Sequence, residues 1–151
     1  MANTQAMCTS FKGELLTGTH NFGTGVVRAS TDADTFKAAL YLASATVNAS
    51  TTAYSSTGEV TGTNYTAGGA TVTNATAPAT NGTTAYWTPS ASITFSNVTL
   101  TTAFDAVLIY NSTQSNKAVS VHTFGSQTVT AGTFTLTMPT NDSSTGLIRL
   151  A

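Results

Sequence analysis

Residues 104–124 read FDAVLIYNSTQSNKAVSVHTF, and this stretch decides the fold. Positions 104–110 are apolar on both faces, the pattern of a strand covered from two sides. Positions 111–116 are a run of small polar residues and predict a turn. Positions 117–124 resume the extended pattern, with Val119 and Val121 facing one way. A buried strand, a polar turn and a partner strand predict an antiparallel hairpin.

The pattern continues outward from this hairpin. Towards the carboxy terminus, Phe134, Leu136 and Met138 alternate with Thr133, Thr135 and Thr137, residues 139–144 are turn material, and 147–150 close the chain. Towards the amino terminus, Ile93 and Phe95 alternate until Ser96-Asn97 shifts the phase to Val98 and Leu100. A one-residue slip of this kind predicts a β-bulge or a bend. Asn81-Gly82 is the strongest two-residue turn, followed by Ala85 and Trp87 on one face. Residues 60–66 and 70–75 flank Ala67-Gly68-Gly69 and predict a second hairpin. Residues 35–43 alternate with both faces largely apolar and read as a central strand, although their Ala and Leu content also fits a helix. Residues 44–59 read as a loop with at most one helical turn opened by Ser50, and 18–34 as a loop with a short strand near Val26. In the first segment Met7, Cys8, Phe11, Leu15 and Leu16 recur at spacings of three and four, with Thr4 as a cap and Gly18 as a stop. Gly13 works against that helix. The expected fold is mainly β, an antiparallel β-sandwich or partly closed barrel with one short N-terminal helix. Its expected organisation is an N-terminal helical arm over residues 1–17 and a single β-sandwich-like domain over 18–151.

Composition narrows the function. The chain has 151 residues, a net charge of -1 and 7% charged residues, against about 25% in a typical soluble domain. Threonine fills 34 positions and serine 15, so polarity comes from hydroxyls rather than ions. Threonine is β-branched and fits the pleat while keeping an outward face wet. Lys12, Arg28, Lys37, Lys117 and Arg149 are the whole supply of strong cations and are scattered, which argues against binding nucleic acid through its phosphates. The single Cys8 removes any intrachain disulfide framework. The opening MANTQAMCTSF lacks the basic start and apolar stretch of a secretory signal, so synthesis in the cytoplasm is expected. The longest apolar run, residues 106–110, is far short of the about 20 residues that span a membrane.

Candidate chemistry is sparse. Gly23-Thr-Gly25-Val-Val-Arg28 begins like a dinucleotide loop but has Arg at the last glycine position. Asp32-Ala-Asp34 begins like a calcium loop, but Phe36 and Lys37 stand at its fifth and sixth positions. Cys8, His20 and His122 are too few soft or nitrogen ligands for zinc. Cys8 lies in register with Phe11 and Leu15 and reads as a buried, inert thiol. Asp105 sits inside an otherwise apolar strand and reads as a hydrogen-bond acceptor rather than an acid or base. Seven Asn-x-Ser/Thr triplets, at Asn48, Asn64, Asn74, Asn81, Asn97, Asn111 and Asn141, read as turn chemistry. No catalytic residue, cofactor or metal is expected.

Three stretches together resemble a family of small tailed-phage virion structural proteins of the head decoration or cement type. They are MANTQAMCTSFKGELLTGTHNF, KAALYLASATVNASTTAYSSTGEVTGTNYTAGGATV, and AVLIYNSTQSNKAV followed by TFTLTMP. The most specific part is Tyr54-x-x-Thr57-Gly58-Glu59-Val60-x-Gly62-x-x-Tyr65-Thr66-Ala67-Gly68-Gly69; the 18–34 loop is longer than the family pattern. The resemblance implies a non-enzymatic virion component. The expected partners are a major capsid protein and copies of the chain itself, as a trimer or dimer, with neither nucleic acid nor membrane. Met7, Phe11 and Leu15 in the terminal segment, with Phe22 and Val26 in the following loop, are the expected protein contacts. The competing expectation is a receptor- or glycan-binding module of a tail, neck or fibre, in which Trp87, Tyr86, Tyr65 and Tyr54 would form a stacking platform.

Overall fold

In the computed structural model the described residues are 3–16, 19–20, 22, 34–73 and 76–151. The elements in chain order are β1 (Ala6–Met7), α1 (Thr9–Leu16), β2 (Phe36–Leu42), β3 (Ala70–Thr71), β4 (Ala79–Asn81), β5 (Thr84–Trp87), β6 (Ile93–Asn111), β7 (Lys117–Leu136) and β8 (Ile148–Leu150). They form two antiparallel sheets, one in the order β1-β7-β6-β2-β3 and one in the order β4-β5-β8. The protein is mainly β and sandwich-like, with one short helix, as its patterning predicts.

The centre is the hairpin of β6 and β7, 19 and 20 residues long. Positive φ at Ser115 and Asn116 turns the chain between them. The apolar run at 104–110 lies between β2 and β7, with Leu108 paired to Ala39 on one side and to Val121 on the other. Strand neighbours on both sides and covered faces are why the run is apolar on both faces apart from Asp105, whose carboxylate is bonded to Asn3.

The phase slip at Ser96-Asn97 is a real irregularity. Register shifts between Phe95 and Val98, and Asn97 takes a φ of 58°, a backbone state that Asn tolerates better than most residues. The shift does not end the strand, so stretches that read as several short strands run on as one. Thr101 and Thr102 on β6, and Thr128 and Thr130 on β7, supply β-branched residues that keep the chain extended.

Two local expectations give way to tertiary pairing. The helix begins at Thr9, not Thr4, because residues before it join the sheet: Ala6 pairs with Val121 and Met7 with Ser120. Asn3 anchors this start, donating to the Leu42 carbonyl and to Asp105 and accepting from the Val47 amide. The glycine pair at 68–69 does not join two strands to each other. Residues 59–69 leave β2 and return to it, with the Val60 amide bonded to the Leu40 carbonyl and Ala70 paired with Ala38. On the way they touch β6 through the Thr63–Thr99 bridge. The Asn81-Gly82 turn does join β4 to β5, with Gly82 at a φ of 58°.

The two sheets meet in an aromatic cluster. Phe36 of the larger sheet and Trp87 of the smaller lie 5.9 Å apart between ring centres, with Phe22 stacked on Phe36 at 4.5 Å and Phe11 of α1 edge-on to Phe22. Cys8 and Phe11 are fully buried, so the helix belongs to the same core as β2 and β6.

Candidate functional site

The Tyr54 to Gly69 signature folds into a closed knot around one carboxylate. Glu59, only 6% exposed, accepts from the Tyr54 hydroxyl at 2.6 Å, the Tyr65 hydroxyl at 2.8 Å and the Gly68 amide at 2.8 Å. The Tyr65 oxygen in turn accepts from the Leu40 amide, and Tyr110 donates to the Gly68 carbonyl. Three donors offset the cost of burying the carboxylate. Burial first, then the Glu59 charge, pushes the Tyr110 hydroxyl up to about 12, and burial with Glu59 raises Tyr54 and Tyr65 further. All three therefore stay protonated as donors at neutral pH. The glycines of the signature are required by close approach. A Cβ on Gly69 would stand 1.8 Å from the Ala38 carbonyl oxygen, and one on Gly62 2.0 Å from that of Thr99.

A second polar chain ties α1 to the tip of the central hairpin. Lys117 donates to Glu14 at 2.6 Å, and His20 Nε2 lies 2.6 Å from the other Glu14 oxygen. Asn111, fully buried, places its amide nitrogen 3.1 Å from His20 Nδ1 and 2.8 Å from Asp34 Oδ2, while its oxygen accepts from the Gln114 amide. An amide nitrogen only donates, so His20 Nδ1 accepts and the ring proton sits on Nε2, directed at Glu14. Burial pushes the His20 pKa down against the pull of Glu14 and Asp34, which keeps the ring neutral. Burial alone would raise Glu14; the hydrogen bonds from Lys117 and His20 outweigh it and hold the carboxyl below its ordinary value.

These arrangements are made for holding chain together. In the first, the Glu59 oxygens are engaged by internal donors. In the second, the His20 side chain is fully buried among Phe11, Phe22 and Phe36. Among the described residues no group of three His, Cys, Asp or Glu side chains is placed to hold a metal ion. Cys8 is buried, and burial, with the Glu14 charge, pushes its thiol up to about 11, the inert form. Asp105 accepts from Asn3 at 2.5 Å. Asn64 occupies positive φ and Asn48 accepts from the Ser50 amide, both turn roles, whereas Asn97 takes its positive φ at the irregularity inside β6 and not in a turn.

The contact residues expected from sequence scatter. Met7 is half-buried on β1 and lines a cleft of about 670 Å³ with Ser120, His122 and Arg149. Phe11 and Phe22 are buried in the aromatic cluster, and Leu15 is half-buried beside a small apolar crevice that also reaches Trp87 and Leu150. Val26 lies outside the described residues, as do Gly23, Gly25, Arg28, Asp32 and Asn74. The four rings of the stacking platform are not assembled: Trp87 is 2% exposed in the aromatic cluster, Tyr54 stacks on Tyr110, and Tyr65 stacks on Phe95.

The open surface is elsewhere, on the outer half of the central hairpin. Residues 93–103 and 123–138 contain no ionisable side chain. Along β7 from Gly125 to Thr135 the positions are exposed or half-buried throughout, and five of the exposed ones are threonines or serines. Sequence reasoning missed this surface because it read the region as separate short strands; the signal was the unbroken absence of charge. Comparison with models of protein families, with characterised proteins and with solved structures gave no match.

Proposed function

We propose that the protein is a capsid decoration protein of a tailed phage, docking as an oligomer across junctions between major capsid proteins and stabilising the head. The observation that carries this reading is the long hairpin arm whose outer half is hydroxyl-rich, exposed and without charge. A surface free of ions loses little on desolvation and is readily covered by another protein. Repeated over many equivalent sites of a shell, modest contacts add through avidity. The resemblance of the Tyr54 to Gly69 signature to virion components supports the same reading, and the knot it forms is a scaffold for that arm. Among the described residues no helix is long and apolar enough to cross a membrane.

Quantitative mass spectrometry of purified virions tests the proposal. Copy numbers in the hundreds, matched to the shell lattice, are expected. About a dozen copies, the stoichiometry of a tail or neck ring, would overturn it in favour of the tail-associated reading.

A further inference from the structure

The cleft of about 670 Å³ lies where the two sheets present edges to each other, β1 of the larger and β8 of the smaller. Ser120 and His122 of β7 form its floor, directly opposite Ile109 and Val107 of β6. Two polar side chains set among apolar neighbours cost desolvation unless they are bonded. The Ser120 hydroxyl oxygen lies 2.9 Å from His122 Nε2, which satisfies one ring nitrogen. Among the described residues Nδ1 has no protein partner, yet it is not one of the buried polar atoms that lack one, so it is turned to the cleft. Burial pushes His122 down to about 4, so the ring is neutral and carries a single proton. With Ser120 donating to Nε2, that proton sits on Nδ1 and the cleft meets an N–H donor. Because the hydroxyl can also accept, the pair takes whichever tautomer a ligand selects, and an anion selects the donor.

The cleft carries one charge. Arg149 is the only charged side chain among the described residues that line it. Its guanidinium donates to the Ser144 carbonyl, which fixes its orientation, and among the described residues it makes no ion pair. Asp142, in the turn before β8, has its carboxylate taken by the Ser144 and Thr145 amides and the Thr145 hydroxyl. One cation with a neutral donor suits a monoanion; a doubly charged phosphate would keep a charge uncompensated. No Phe, Tyr or Trp side chain lines the cleft, so a sugar ring has no face to stack on. The floor continues into a crevice of about 250 Å³ that shares Gln5, His122 and Leu147 with the cleft and is walled by Phe124, Leu136 and Met138. A charged, polar chamber therefore opens into an apolar one.

We propose that the cleft and its crevice bind a small aliphatic monocarboxylate, the carboxylate held by the Arg149 guanidinium and the His122 Nδ1–H and the chain laid along Phe124 and Leu136. The geometry supplies what such a ligand needs and little that another would use. A pocket of this kind, apolar over much of its wall with a few converging polar groups, is the usual form of a small-molecule site. The charge-assisted contact fixes which end enters the cleft, and burial of the chain supplies affinity. This site needs nothing from the capsid reading, and either can fail without the other.

The test is an NMR titration of the full chain with octanoate up to about 5 mM, with acetate and octan-1-ol as the two halves of the ligand. Saturable shifts at Ser120, His122 and Phe124 are expected with octanoate, and each half should bind at least about tenfold more weakly. Arg149→Gln, at an exposed position, should weaken octanoate by about tenfold and leave octan-1-ol unchanged. The three ligands are compared on the unaltered chain, so that comparison does not depend on the variant folding. No saturable shift with octanoate overturns the proposal, as do shifts centred instead on the crevice beside Trp87 and Leu150. Octan-1-ol binding as tightly as octanoate would mean apolar adsorption without the cation, and acetate binding as tightly would mean an anion site without a chain; either overturns it. So does an Arg149→Gln variant that folds and binds octanoate undiminished.

Discussion

The two halves of the central hairpin share two strands and one ladder, yet the outer half is threonine-rich, the inner half is apolar, and they live in different environments. In the inner half, from Phe104 to Asn111, β6 has β2 on one side and β7 on the other, and six of its residues from Ala106 onward are buried in an unbroken run. In the outer half β6 buries only one face, through Ile93, Phe95, Val98 and Leu100, and β7 is exposed or half-buried throughout. The strand is the same; the neighbours are not. Burial in a sheet is therefore a property of what packs on it.

Perturbing each half in turn sharpens the contrast. Gly69→Ala should have the largest effect, because a Cβ there stands 1.8 Å from the Ala38 carbonyl oxygen and the φ of 73° disfavours any side chain. The inner half should lose its native fold, read as loss of cooperative unfolding and of soluble expression. A matched pair comes next. Phe104→Ala should cost about 3–5 kcal/mol, as for a fully buried phenylalanine, whereas half-buried Phe134→Ala should cost roughly 1–2 kcal/mol. Equal losses in urea titration of the two variants would erase the distinction between the halves.

Acid should produce a smaller effect that falls on the inner half. Burial pushes His122 from 6.5 down to about 4. The unfolded chain then binds a proton below about pH 6.5 that the folded chain refuses, so stability present above that pH is lost as pH falls towards 4. The loss is at most about 3 kcal/mol from this residue. His20, also held below its ordinary value by burial, acts in the same direction, and Glu14 adds to the loss below the ordinary carboxylate range. Denaturant titrations at successive pH values should show declining stability, with a shallower slope in His122→Gln. A flat profile would mean that the histidine is solvated.

Much of the hairpin was legible because its signals are local. The apolar run at 104–110, the polar turn and the phase slip at Asn97 each lie within a few residues of their cause. The Asn81-Gly82 turn is local in the same sense, since Gly takes positive φ without strain. The two structural knots were not legible. Lys117 and Glu14 are 103 positions apart, and Asn111 and His20 are 91 apart. Within the Tyr54 to Gly69 signature the spacing was visible, but not that its two tyrosines serve one buried carboxylate. The error at Ala67-Gly68-Gly69 has the same origin. Two glycines announce a turn, and nothing local says that the returning chain pairs with β2 instead of with residues 60–66.

By itself the sequence determined a neutral, hydroxyl-faced β-protein with a buried central strand, because side-chain alternation follows the two-residue period of the pleat and needs no partner to be read. Only the tertiary structure decided which strand lies beside which and that Glu59 and His20 are fastened inside. Those outcomes depend on contacts between distant segments, where the free energy of closing one face against another overrides what each segment would choose alone.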